Sequence, residues 1–184
     1  MLSLRSTLIT VIALLAGLPC PGAENPTDFT VASPVDDSRF VLSEHRGKVV
    51  ALHFLLKTEC PYCQRYTRAY AAEATATPGV VHVFLKPDSP KDILAWTAKF
   101  NQTELNTMPR IYRDPNARLA GQYGVPDGYA FHGQVVRFPA IVLLNEQGKE
   151  FFRYVGKNNS DRLPIEEFRK QLSEHQAAKP PAGK

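Results

Sequence analysis

Two cysteines in this chain are spaced for redox chemistry: Cys60-Pro61-Tyr62-Cys63 follows directly on the apolar run Val49-Val50-Ala51-Leu52-His53-Phe54-Leu55-Leu56. A strand that delivers a C-x-x-C to the start of a helix suits reversible thiol–disulfide exchange. The first cysteine then falls at the helix N-terminus, where unpaired N–H groups and the helix dipole favour a thiolate. The second lies one turn further on, within reach for a disulfide. Position therefore assigns attack to Cys60 and resolution to Cys63, with Pro61 and Tyr62 setting helix entry and the balance between the two redox states. The pair itself would cycle between oxidised and reduced forms, so no bound organic cofactor is required. The expected partners are protein thiols or disulfides and a redox partner protein.

The elements around the pair follow from periodicity and turn residues. Phe29-Thr30-Val31 and Arg39-Phe40-Val41-Leu42, joined by the turn-rich Ser33 to Ser38, predict an N-terminal hairpin. Arg46-Gly47-Lys48 turns the chain into the apolar strand. Gln64 to Ala76 is alanine-rich and stopped by Pro78-Gly79, which predicts a helix. Val80 to Leu85 is β-branched and strand-like. A helix capped by Asp88 or Ser89 is expected to run to about Phe100, followed by a short strand at Arg110-Ile111-Tyr112 and a helix from Asn116 to Tyr123, closed by Gly124. Val135 to Leu144 contains the next strand. Asn145-Glu146-Gln147-Gly148 turns it back into Glu150 to Val155, and a last helix covers Pro164 to His175. Strands alternating with helices and ending in a hairpin predict one α/β domain, residues 24–176, with a mixed sheet. The Pro-, Ala- and Lys-rich 177–184 reads as a disordered tail.

Residues 1–23 read as a signal peptide. Arg5 supplies a positive charge, Thr7 to Leu18 an apolar stretch, and Pro19 to Ala23 an exit with small residues. The stretch is short of the about 20 residues a spanning helix needs. Cleavage near Gly22 or Ala23 would make the protein exported, to the periplasm or cell envelope if bacterial. Lipidation at Cys20 and an uncleaved anchor are the alternatives, and a membrane is expected as a partner only if the segment stays uncleaved. Once Cys20 is removed, the remaining cysteines are the C-x-x-C alone, which fits a redox role in an oxidising compartment rather than a disulfide-stapled scaffold. The formal net charge of +4 is spread over scattered basic residues, none in a run interleaved with aromatics. Nucleic-acid binding therefore has no support.

Several stretches resemble the thioredoxin fold, and its redoxin branch more closely, which includes envelope thioredoxin-like proteins and the alkyl hydroperoxide reductase/thiol-specific antioxidant group. These are Asp28-Phe29-Thr30 through Gly47-Lys48-Val49-Val50, Cys60 to Cys63, Asp114-Pro115-Asn116 with Tyr123-Gly124-Val125, and Phe138-Pro139-Ala140 with Asn145 to Lys149. The resemblance spans about Asp28 to Phe168. It implies a three-layer fold, a mixed central sheet flanked by helices with an N-terminal β-hairpin. It also implies that Pro139 faces the redox pair through a cis Phe138–Pro139 bond, leaving neighbouring backbone free to hold a substrate chain.

The departures from that family narrow the chemistry. Glu59 stands where thioredoxins have tryptophan, and Phe54 where they have a buried acid. His53 either replaces that base or is a core or edge histidine; Lys57 either lowers the Cys60 pKa or is a solvated loop residue. A peroxiredoxin carries a threonine or serine where this chain has Lys57 and a proline where it has His53. Thr58 is displaced from the required position. Arg137, just before Pro139, does stand where the peroxide-polarising arginine would. Thiol–disulfide exchange is the leading reading, with peroxiredoxin-like hydroperoxide reduction second. A non-catalytic or copper-carrying module comes third, because copper-delivering relatives have a wider cysteine spacing, and His45, His82 and His132 read as structural or exposed. No metal is expected.

Overall fold

A computed structural model describes residues 25–57, 60–131 and 134–179. Residues 1–24, on which the expected signal peptide falls, Thr58, Glu59, His132 and the end of the tail lie outside the described residues. The N-terminal hairpin is present, β1 (Thr30–Ala32) pairing antiparallel with β2 (Arg39–Val41). The central sheet comprises β3 (Val49–Phe54), β4 (Val80–Lys86), β5 (Ile111–Arg113), β8 (Ala140–Leu144) and β9 (Glu150–Val155), in the order β5-β4-β3-β8-β9. β3, β4 and β5 run parallel, whereas β8 is antiparallel to both β3 and β9. The expected mixed sheet follows from this topology: helical crossovers join the parallel strands, and the Asn145–Gly148 turn joins the last hairpin.

β3 is buried along its whole length because both faces of the sheet are covered. Val49, Ala51 and Leu55 pack with α1 (Pro61–Ala76), α2 (Pro90–Thr97) and α5 (Ile165–Ala177), through Tyr66, Tyr70, Trp96 and Phe168. Val50, Leu52 and Phe54 pack on the other side against Phe40 and Leu42 of the hairpin region and against α4 (Arg118–Gln122), through Leu119 and Tyr123. The strand period of two makes this division. It also puts His82, Phe84 and Lys86 of β4 on one side and Val81, Val83 and Leu85 on the other.

Three expected elements came out differently. The helix after β4 ends at Thr97, and a separate α3 (Gln102–Thr107) follows, started by a reciprocal capping box between Asn101 and Glu104. The strand expected somewhere in Val135 to Leu144 is two strands. β7 (Gln134–Arg137) forms its own hairpin with β6 (Asp127–Phe131), and β8 starts after Pro139, whose missing N–H breaks the ladder. The tail is still ordered where disorder was expected to begin, since α5 runs through Ala177 and Lys179 pairs with Glu146.

Candidate active site

α1 begins at the redox pair. Cys60 is the N-cap with extended backbone (φ −75°, ψ 111°), and Pro61 takes the first helical position, where its fixed φ suits the helix and its missing N–H costs nothing. The Cys60 N–H donates to the Lys57 carbonyl at 3.1 Å and the Cys63 N–H to the Cys60 carbonyl at 3.3 Å, which locks the turn. Both cysteines are free thiols; Cys60 is half-buried and Cys63 has no exposed surface. Tyr62 is half-buried beside them, with the Arg65 guanidinium 5.7 Å from its ring centroid.

The cation at the sulfurs is Arg162, which sequence reasoning did not find. Its Nη2 lies 3.7 Å from Cys60 Sγ and 3.4 Å from Cys63 Sγ, and its Nη1 donates to the carbonyls of Asn159 and Asp161. The segment between β9 and α5 that carries it is pinned by side chains. Asn158 Oδ1 accepts the N–H groups of Ser160 and Asp161, while Asp161 accepts from the Tyr154 hydroxyl and the Lys157 N–H. Cys60 Sγ also lies 3.7 Å from the Asn159 carbonyl oxygen.

These contacts separate the two thiols. A hydrogen bond from the Cys63 side chain is the largest influence on Cys60; against the opposing effect of burial, and with the Arg162 charge assisting, it brings the Cys60 pKa down to about 6. Cys63, donating that bond and buried, is pushed well up. One sulfur is thus a thiolate near neutral pH and the other a thiol, the charge distribution an attacking and resolving pair needs.

The remaining expected site residues are placed as follows. Lys57 supplies the carbonyl that Cys60 N–H meets, and its side chain lines a cavity of about 200 Å³ with Phe54, Asn116, Ala117, Arg137 and Phe138. Arg137 is bound within that region, donating to the carbonyls of Ala117 and Val125 and pairing with Asp127 at 3.1 Å. It is Arg162, not Arg137, whose guanidinium meets the sulfurs. Pro139 is buried at the start of β8 and its carbonyl accepts the Gly156 N–H at 2.8 Å. The expected cis Phe138–Pro139 bond is corrected: the described residues contain no cis peptide bond.

His53 is a core histidine. It is fully buried, its Nδ1 is 3.0 Å from the Tyr66 hydroxyl, its Nε2 is 3.0 Å from His82 Nδ1, and its ring stacks on Phe84. Burial, reinforced by His82, holds its pKa well below the usual histidine range. No group of three or more His, Cys, Asp or Glu among the described residues is arranged to hold a metal.

Residues 21–149 match the family model of the AhpC/TSA family, well over half of the chain. The chain belongs to the AhpC/TSA family. No protein in a search of curated sequences matches it. Among solved structures, this AhpC/TSA protein is similar to the reduced 2-Cys peroxiredoxin of Plasmodium vivax (TM-score 0.66, 22% identity, covering 84% of this chain and 95% of that one). It is also similar to a secreted Mycobacterium tuberculosis disulfide oxidoreductase homologous to E. coli DsbE (0.58, 18%, 80% and 96%). A third is the exposed lipoprotein thioredoxin Etrx1 of Streptococcus pneumoniae (0.61, 20%, 80% and 98%). At these identities the likeness establishes a thioredoxin-like fold shared by peroxidases and disulfide exchangers. The family makes this AhpC/TSA chain a thiol-based redox enzyme.

Proposed function

We propose that this protein is an exported thiol–disulfide oxidoreductase acting on protein thiols and disulfides. The observation that carries the reading is the asymmetry of the pair, a half-exposed Cys60 thiolate at a helix N-terminus over a buried, protonated Cys63. Cys60 attacks a substrate disulfide to give a mixed disulfide, expelling one substrate thiolate. Cys63 then attacks Cys60 Sγ, closing the intramolecular disulfide and releasing the second substrate thiolate. Export rests on the pattern of residues 1–23.

Hydroperoxide reduction is the second reading, and Arg162 beside Cys60 favours it, because a guanidinium there could polarise a peroxide O–O bond. Against it, Arg137 is committed to Ala117, Val125 and Asp127, and His53 is locked in the core. One set of assays separates the two: protein lacking residues 1–23, with Cys60→Ser and Cys63→Ser, is tested for disulfide reduction and for hydroperoxide consumption. Fast disulfide exchange abolished by Cys60→Ser, with a trapped mixed disulfide in Cys63→Ser, supports the proposal. Rapid peroxide turnover, with one turnover retained by Cys63→Ser, gives the site to the peroxidase. Wild-type behaviour of Cys60→Ser in both assays refutes both.

A further inference from the structure

Lys86, at the end of β4, has no exposed surface. Its Nζ donates to the Leu56 carbonyl at 2.6 Å, lies 3.3 Å from Asp88 Oδ2 and sits 4.6 Å from the Trp96 ring centroid. Cys63 Sγ is directed at the same Leu56 carbonyl, at 4.0 Å. The strand period places Lys86 on the sheet face that α1 covers, so ammonium and thiol meet at one carbonyl oxygen. A buried ammonium is expensive, and an apolar side chain of similar length would fill the same space at lower cost. Such a charge beside a reactive sulfur marks a functional candidate.

We propose that Lys86 is a positioning residue that allows Cys63 to ionise when it resolves the mixed disulfide. This rests on the exchange mechanism above. In that step Cys63 loses its proton to solvent and forms a bond to Cys60 Sγ, while the Cys60–substrate S–S bond breaks and the substrate departs as a thiolate that solvent protonates. A thiolate at Cys63 faces the negative end of the Leu56 carbonyl; the ammonium on the same oxygen offsets the repulsion. The other groups facing Cys63 are Cys60 and Tyr66 on α1 and Arg162 on the segment before α5; Asp88 faces Lys86 and partly neutralises it. Arg162 touches both sulfurs, whereas Lys86 stands behind Cys63 alone, so the two cations separate by which step they assist.

The test uses reduced protein and excess 5,5′-dithiobis(2-nitrobenzoate) under stopped flow. Cys60 attack releases the first coloured thiolate and Cys63 resolution the second. Lys86→Met is expected to leave the first phase within about twofold, slow the second about tenfold near pH 7, and raise the pH midpoint of the second by about one unit. Asp88→Asn, which unmasks the ammonium, is expected to accelerate the second phase and lower its midpoint, an outcome that a damaged fold would not produce and that decides the matter if Lys86→Met does not fold. An unchanged second phase in either variant, or equal slowing of both phases in Lys86→Met, overturns the proposal. The exchange mechanism fails separately, if Cys60→Ser still releases its first equivalent at the wild-type rate.

Discussion

Arg162 Nη2 lies within 3.7 Å of Cys60 Sγ and 3.4 Å of Cys63 Sγ, bridging from the segment before α5 to the first turn of α1. The two sulfurs therefore share one guanidinium, and only the sulfur that is ionised gains fully from it. Arg162→Ala should move the Cys60 thiolate midpoint upward from about 6, since the charge that assists ionisation is gone. Thiolate absorbance against pH would show this directly. The attack rate should fall several-fold, by roughly 3- to 10-fold, near pH 6.5 and approach wild type above about pH 9, where both proteins are ionised. An unmoved midpoint would leave Arg162 without an electrostatic role.

The buried histidines predict an acid-labile core. Burial lowers the His82 pKa to about 4, and His53, which it contacts, is also depressed. As pH falls below the unfolded value near 6.5, the unfolded chain takes up protons that the native state refuses, so stability present above that value is lost progressively toward about 4. The Tm should drop by about 5 °C or more between pH 7 and pH 5. His82→Gln should flatten that dependence. Calorimetry at constant ionic strength measures both.

Asp114 is buried, and its carboxylate accepts the N–H groups of Leu119 at 2.8 Å and Ala120 at 3.0 Å, tying β5 to α4. Replacing it by alanine strands two buried donors, and Asp114→Ala should cost about 2 kcal/mol in urea unfolding. A loss under about 0.5 kcal/mol would mean that solvent satisfies those groups.

Ala117 adopts a left-handed backbone (φ 52°, ψ 36°) directly after Asn116 at φ 56°. Alanine tolerates that region poorly and glycine freely, against a larger unfolded-state entropy for glycine. Ala117→Gly should be neutral to stabilising by about 1 kcal/mol in the same denaturation measurement. A substantial loss of stability would show that the Ala117 methyl packs well enough to outweigh the strain.

What could be read from the chain alone was what local pattern encodes. The strand before Cys60, the helix after it, the entry hairpin and the Asn145–Gly148 turn each carry their own periodicity or turn residues, and all of them are present. Arg162 carries no such signal. It lies in the polar stretch Lys157 to Arg162, which reads as a solvated connection, and only tertiary folding brings it to sulfurs about a hundred positions earlier. Lys86 left a faint trace, since strand alternation from His82 and Phe84 points it inward, yet a lysine at a strand end normally reaches solvent. The α3 capping box Asn101–Glu104 stands in the sequence just past the expected helix end near Phe100, where no element was expected. Pro139 divided an apolar run because its effect on hydrogen bonding is absolute, whereas hydropathy on either side continues unchanged.

The complete burial of Cys63 one turn beneath a half-exposed Cys60 makes the pair a reporter of local motion. A bulky alkylating reagent can reach the outer sulfur in the native fold, but it meets the inner one only when the first turn of α1 comes away from the sheet. Blocking Cys60 and timing the second modification by mass would thus give the opening free energy of that single turn, independent of global unfolding.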